Sequence, residues 1–88
     1  MGQPINVDIG ELRRILADLT RAQTTIRDTV QQLRSSLAKA NWNDPAGLAF
    51  ENRLNEALRP LAQFDRQAEA LKPVLNSKIR SLSEYLGR

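Results

Sequence analysis

The chain contains no histidine and no cysteine among its 88 residues. That removes the commonest general base, the commonest soft metal ligands and the commonest thiol nucleophile together, and it excludes disulfides. Cysteine-free chains are at home in reducing and oxidising compartments alike, so the redox setting stays open. Long hydrophobic runs are also missing. No stretch approaches the ~20 apolar residues of a bilayer-crossing helix, so a soluble chain without stable membrane insertion is expected. The segment Met1 to Asp8 has neither a basic n-region nor an apolar h-region. No cleavable signal is therefore expected, and any export would be leaderless, from a cytoplasmic pool. Gly2 does not open a myristoylation signal, because Asn6 stands where that signal requires Ser or Thr. Catalytic carboxylates would have to come from exposed helix faces without a pocket or pKa-shifting burial, so neither an enzyme nor a cofactor or metal site is expected.

Charge is abundant but mixed. Thirteen Lys and Arg, ten of them Arg, stand against ten Asp and Glu for a net charge of +3. A basic balance can mark nucleic-acid binding. Here acids and bases alternate, as in Arg27-Asp28, Glu51 with Arg53, and Asp65-Arg66, which is the pattern of a solvated helix face. Only the last third, with Lys72, Lys78, Arg80 and Arg88 against Glu84, is locally basic. Dispersed charge and only four aromatic residues argue against a nucleic-acid partner.

What is present is helical periodicity. Asp8 followed three residues later by Glu11 has the form of a capping box and predicts a first helix over about 9–40. Leu12, Leu16, Leu19, Gln23, Ile26, Val30, Leu33, Leu37 and Ala40 then follow alternating steps of four and three, with Gln23 alone polar. That heptad seam predicts near-antiparallel packing with a left-handed twist. Gln23 reads either as a device that fixes register or as a polar residue tolerated at a wide spot.

Asn, Asp, Pro and Gly cluster only at Ala40 to Gly47 between the two periodic segments. Asn41 can take the left-handed conformation that ends a helix, and Asp44 before Pro45 is an N-cap with proline at the first helical position. A turn over 41–44 this short returns the second helix, over about 45–86, antiparallel to the first. In that helix Phe50, Leu54, Ala57, Leu61, Phe64, Ala68, Leu71 and Leu75 continue the four-three spacing. The stripe then shifts to Ile79, Leu82 and Leu86, so that Leu71 to Leu82 is an eleven-residue step that relaxes the winding. Pro60 and Pro73 are expected to bend this helix rather than end it, against an alternative of three helices broken at Leu71-Lys72-Pro73.

The predicted fold class is therefore all-α, a single-domain antiparallel two-helix hairpin. Ile15, Ala22 and Ile26 widen the first apolar stripe, and Leu58, Val74 and Ile79 widen the second. That is more apolar surface than one partner helix covers, and a chain this short has a core worth only ~3–5 kcal/mol. Dimerisation into a four-helix bundle, homotypic or with a related hairpin, is expected to bury the excess. Trp42 has two readings. As a lid, its indole covers the open end of the hairpin core; as a recognition residue, it meets a partner at the turn.

With Trp42, Ala46 four residues on and Phe50 eight residues on, between two heptad-bearing segments, the chain resembles the WXG family of type VII secretion substrates. The resemblance spans nearly the whole chain. It departs at Asp44, which occupies the motif's glycine position. A second family element, Tyr followed four residues later by an acid, is incomplete, since that position after Tyr85 falls past Arg88. The resemblance implies a dimer of hairpins, exported alone or with a larger effector by an ATPase-driven machine, with the Trp turn in the recognition signal. Trp42, Asp44, Ala46 and Phe50 would then be the recognition residues. Leu12, Leu16, Leu19, Ile26, Val30, Leu33, Leu37, Leu54, Leu61, Phe64, Leu71 and Leu75 are the expected core and dimer seam. A cytosolic helical chaperone or coiled-coil scaffold unrelated to secretion is the competing reading, with Trp42 as packing only.

Overall fold

The computed structural model describes residues 8–86, which form two α-helices, α1 over Ile9–Ala40 and α2 over Pro45–Leu86, folded back on each other as a hairpin. Gly2, Asn6 and Arg88 lie outside the described residues, as does the side chain of Leu86.

Both helix starts and the end of α1 have their own local causes. Asp8 is extended (φ −107°, ψ 166°), and its carboxylate accepts the Glu11 N–H at 2.7 Å, satisfying one of the free donors of the first turn. At the other end Asn41 is left-handed (φ 54°, ψ 45°) and donates its N–H to the Ala38 carbonyl at 3.2 Å. It is the only non-glycine residue with positive φ among the described residues. The chain then restarts at once. Asp44 Oδ1 accepts the Gly47 N–H at 2.8 Å, the Asp44 carbonyl accepts the Leu48 N–H at 3.1 Å, and Pro45 supplies the preset φ of the first helical position.

α2 runs unbroken for 42 residues through Pro60 and Pro73, so the three-helix alternative does not occur. Each proline removes one backbone donor, leaving the carbonyls of Glu56 and Glu69 without their usual helical partner. Both rings are exposed, clear of the seam. With 32 residues in α1 against 42 in α2, the tail of α2 overhangs the start of α1, and Tyr85 is 77% exposed.

In α1 the inward row is Leu12, Leu16, Leu19, Gln23, Ile26, Val30 and Leu37, all buried or half-buried. Leu33 lies at the margin, 42% exposed. In α2 the row that faces α1 differs from the expected one. It runs Leu54, Leu58, Leu61, Asp65, Ala68, Lys72, Leu75, Ile79 and Leu82, in unbroken steps of four and three. Leu54, Leu61, Ala68 and Leu75 keep their expected places. Leu58, Asp65 and Lys72 stand where Ala57, Phe64 and Leu71 were expected, and no eleven-residue slip is needed. Leu71 and Phe50 are instead about half exposed, Ala57 is exposed, and Phe64 is half-buried. The reason is polar. Gln23 is 2% exposed, so its amide must find acceptors inside the hairpin, and Asp65 supplies them where Phe64 cannot.

Candidate functional site at the tryptophan turn

Four features converge at the closed end of the hairpin. Asn41 ends α1 and turns the chain, and Asp44 restarts it as α2. Between them Trp42 is carried outward with 44% of its surface exposed. One α-helical turn and more into α2, Phe50 returns to meet it. The ring centroids lie 5.7 Å apart at a tilt of 34°, within the range of favourable aromatic pairs. Ala46, on the first turn of α2, is exposed beside them. Trp42, Asp44, Ala46 and Phe50 thus share one end of the rod.

The residue that holds the turn closed was not among the expected ones. Gly47 is buried, and a Cβ placed on it would stand 2.3 Å from the Trp42 carbonyl oxygen and 2.7 Å from the indole Cγ. Its role is close approach, since its backbone is helical. The Trp42 main chain and the base of the indole therefore rest directly on the α2 backbone, while the far side of the ring stays open to solvent. A glycine five residues after a turn tryptophan was visible in the sequence, but only the fold shows that it lies beneath Trp42. Beside the turn a shallow cleft of about 240 Å³ opens between the helices, lined by Arg34, Leu37, Trp42, Gly47, Leu48 and Leu54 among others. Leu48 is 57% exposed on its edge.

A second polar construction sits near the middle of the rod. The Gln23 amide nitrogen donates to the Asp65 carbonyl oxygen and to Asp65 Oδ1, both at 3.1 Å, and to Glu69 Oε2 at 2.9 Å. Arg27 pairs with Asp65 at 3.0 Å, and Lys72 with Glu69 at 2.8 Å. Hydrogen bonds from Lys72 and from Gln23 hold the Glu69 carboxyl below its usual range. The Gln23 carbonyl oxygen is buried without a partner. Ala68, fully buried, leaves the helices room to close beside this layer. The arrangement favours one pairing of α2 residues with α1 residues, because a shift of one turn toward Leu58 and Leu61 would strand the buried amide among leucines.

The charge pattern that read as a solvated face is thus divided. Arg21–Asp18 and Arg59–Glu56 are exposed pairs within one helix, of the kind that contribute little. Asp65 and Lys72 belong to the seam. Two signals pointed there: unbroken four-three steps from Leu58 to Ile79 pass through both, and a polar seam residue at Gln23 calls for polar company on the returning helix.

Among the described residues no group of three or more His, Cys, Asp or Glu converges to hold a metal ion, and no helix is long and apolar enough to cross a membrane. No family model matches the sequence, and no curated protein or solved structure matches it either.

Proposed function

We propose that this protein is a WXG-like helical hairpin that a type VII secretion system exports, or that serves such a system as an adaptor, acting through dimerisation and its tryptophan turn. One observation carries the reading. Trp42 is held at the apex by rigid devices on both sides, the left-handed Asn41 and the Asp44 cap, and is seated on Gly47, yet nearly half of it faces solvent. Burial rewards a large aromatic most when it is complete, so a half-exposed indole on a rigid support suits contact with a partner better than a lid. The spacing of Trp42, Ala46 and Phe50, and the pairing of Trp42 with Phe50, favour the family resemblance.

The test is export. Trp42→Ala and Trp42→Phe are expressed in a host carrying the secretion machinery, beside a control lacking its ATPase. Export of both variants is expected to fall while the unfolding midpoint of Trp42→Phe stays close to wild type. Wild-type export from both variants would return the protein to the competing reading, a cytosolic scaffold in which Trp42 only packs.

A further inference from the structure

On the side of the hairpin away from Phe50 and Leu71, the cleft at the turn does not stand alone. Further along the rod lies a second hollow of about 250 Å³, lined by Arg27 and Val30 on α1 and by Leu58, Ala62 and Asp65 on α2, among others. Both hollows lie on one side. Their α1 residues Arg27, Val30, Arg34, Ala38 and Asn41 follow steps of three and four, as do Leu48, Glu51, Asn55, Leu58, Ala62 and Asp65 on α2. They therefore form one groove, which starts at Trp42 and ends where Arg27 bridges to Asp65 at 3.0 Å. From Arg27 to Asn41 it runs about 21 Å, roughly four turns of helix. Its floor is apolar: Leu37, Leu54 and Leu61 are half-buried, and Leu48 is 57% exposed on its edge. Ala38, Asn55 and Ala62 on the rims are short and exposed, which lets another helix approach closely. The walls differ in charge. The charged residues lining the groove are both Arg on α1, Arg27 and Arg34, and both acids on α2, Glu51 and Asp65. Arg27 and Asp65 meet across the far end, whereas Arg34 and Glu51 have no ion-pair partner among the described residues.

We propose that this groove takes a single amphipathic helix of a different protein, about 15 residues long, with an apolar stripe on the floor, an acid on the edge that meets Arg34 and a base on the edge that meets Glu51. Shape and charge argue for that occupant. A lone helix is convex and fills the space between two others, whereas two copies of this chain set groove against groove would place hollow on hollow. Walls of unlike charge favour a helix with one edge acidic and the other basic, and disfavour one edged with a single sign. Arg34, Leu48 and Glu51 are then contact residues that the spacing of Trp42, Ala46 and Phe50 does not reach. Trp42 forms the turn end of the groove, and Phe50 supports it from the other flank.

The inference rests on the adaptor arm of the proposed function and gives it a docking surface; docking is measured without export, so the two fail separately. The probe is a synthetic helical peptide of about 15 residues, with leucines at three- and four-residue steps, Glu along one edge and Lys along the other, titrated into the purified full chain. Trp42 is the only tryptophan and lines the groove, so its fluorescence reads binding. A micromolar Kd is expected, with peptides edged by Glu alone or Lys alone at least about threefold weaker. Ala38→Phe fills the groove from an exposed rim position and should weaken binding at least about tenfold, with helix content and melting midpoint retained. Arg34→Glu and Glu51→Lys should each weaken it about threefold. Together they should restore it, because the same peptide then docks end for end. Leu71→Glu, on the other flank, should change nothing. No binding at millimolar peptide, or binding that Leu71→Glu abolishes and Ala38→Phe spares, would overturn the groove as the site. A double reversal that does not restore binding would overturn the assignment of the charged edges. Sedimentation decides the remaining case: a self-associated wild type that Ala38→Phe converts to monomer would show a second copy in the groove and overturn the single helix as its occupant.

Discussion

Replacing Gly47 by alanine tests the turn most sharply, because general helix chemistry and this structure call for opposite signs. Within a plain helix, glycine to alanine is stabilising by ~0.8–1.0 kcal/mol, since it removes backbone freedom from the unfolded chain. At Gly47 the new methyl would stand 2.3 Å from the Trp42 oxygen, 2.7 Å from its Cγ and 3.0 Å from its carbonyl carbon. Two of those three atoms are main chain, and they belong to a turn clamped by Asn41 on one side and Asp44 on the other. Relief requires the turn to lift. That weakens the Asp44 cap, worth ~1 kcal/mol, on top of an overpacking cost of ~1–3 kcal/mol. Set against the propensity gain, the net is a destabilisation of ~1–3 kcal/mol. For a domain of this size that lowers the melting midpoint by roughly 4–24 °C. Thermal and urea unfolding followed by far-UV circular dichroism and by Trp42 fluorescence would measure it. Adding Trp42→Ala should rescue little, because the nearest obstruction is backbone. A midpoint that rises, as helix propensity alone demands, would refute the seating of Trp42 on Gly47.

Three further outcomes follow from the seam. Leu58→Ala should cost ~2–5 kcal/mol, because Leu58 is 8% exposed, while Leu71→Ala, at 50% exposure, should cost under about 1 kcal/mol in dilute, dissociated protein; equal losses in urea titrations would mean that the two α2 rows are wrongly assigned. Gln23→Leu should change stability by less than about 1.5 kcal/mol, since it removes an unpaired buried carbonyl as well as the amide, and since Arg27 and Lys72 remain to serve Asp65 and Glu69. Its signature should be a loosened register, read as faster amide exchange through the middle of α2, and a loss above 3 kcal/mol would contradict that. Glu69 contributes to the acid limb: its carboxyl is lowered by Lys72 first and Gln23 second, so its contribution is complete above the ordinary value of 4.5 and is lost as the pH falls through the lower native one. Lys72→Met should flatten that limb in a pH series of melts, and an unchanged acid limb would show that the pairing does not stabilise the fold.

Local chemistry made much of this molecule readable before folding is considered. The caps at Asp8, Asn41 and Asp44-Pro45 act over three or four residues, so the starts of both helices, the end of α1 and the reversal between them are written in neighbouring side chains. The α1 row was legible because a single apolar stripe offers a single choice. The row of α2 was not. Two stripes share Leu54, Leu61, Ala68 and Leu75, and apolar content alone favours the one through Phe64 and Leu71, which required a slip near Lys78.

A helical hairpin, its turn and the placing of Trp42, Asp44, Ala46 and Phe50 near that turn follow from the chain's residue order, because helix periodicity and capping are near-neighbour effects. Which of the two α2 stripes faces α1 emerges only once the helices are packed together. That choice depends on where the buried amide of Gln23 finds acceptors, on residues 42 and 46 positions away. The same holds for Gly47, whose missing side chain matters only because the folded turn lays Trp42 across it. Periodicity tells which side chains share a face, but a face acquires its partner only when hydrogen bonds and close contacts from a distant part of the chain distinguish one fit from another.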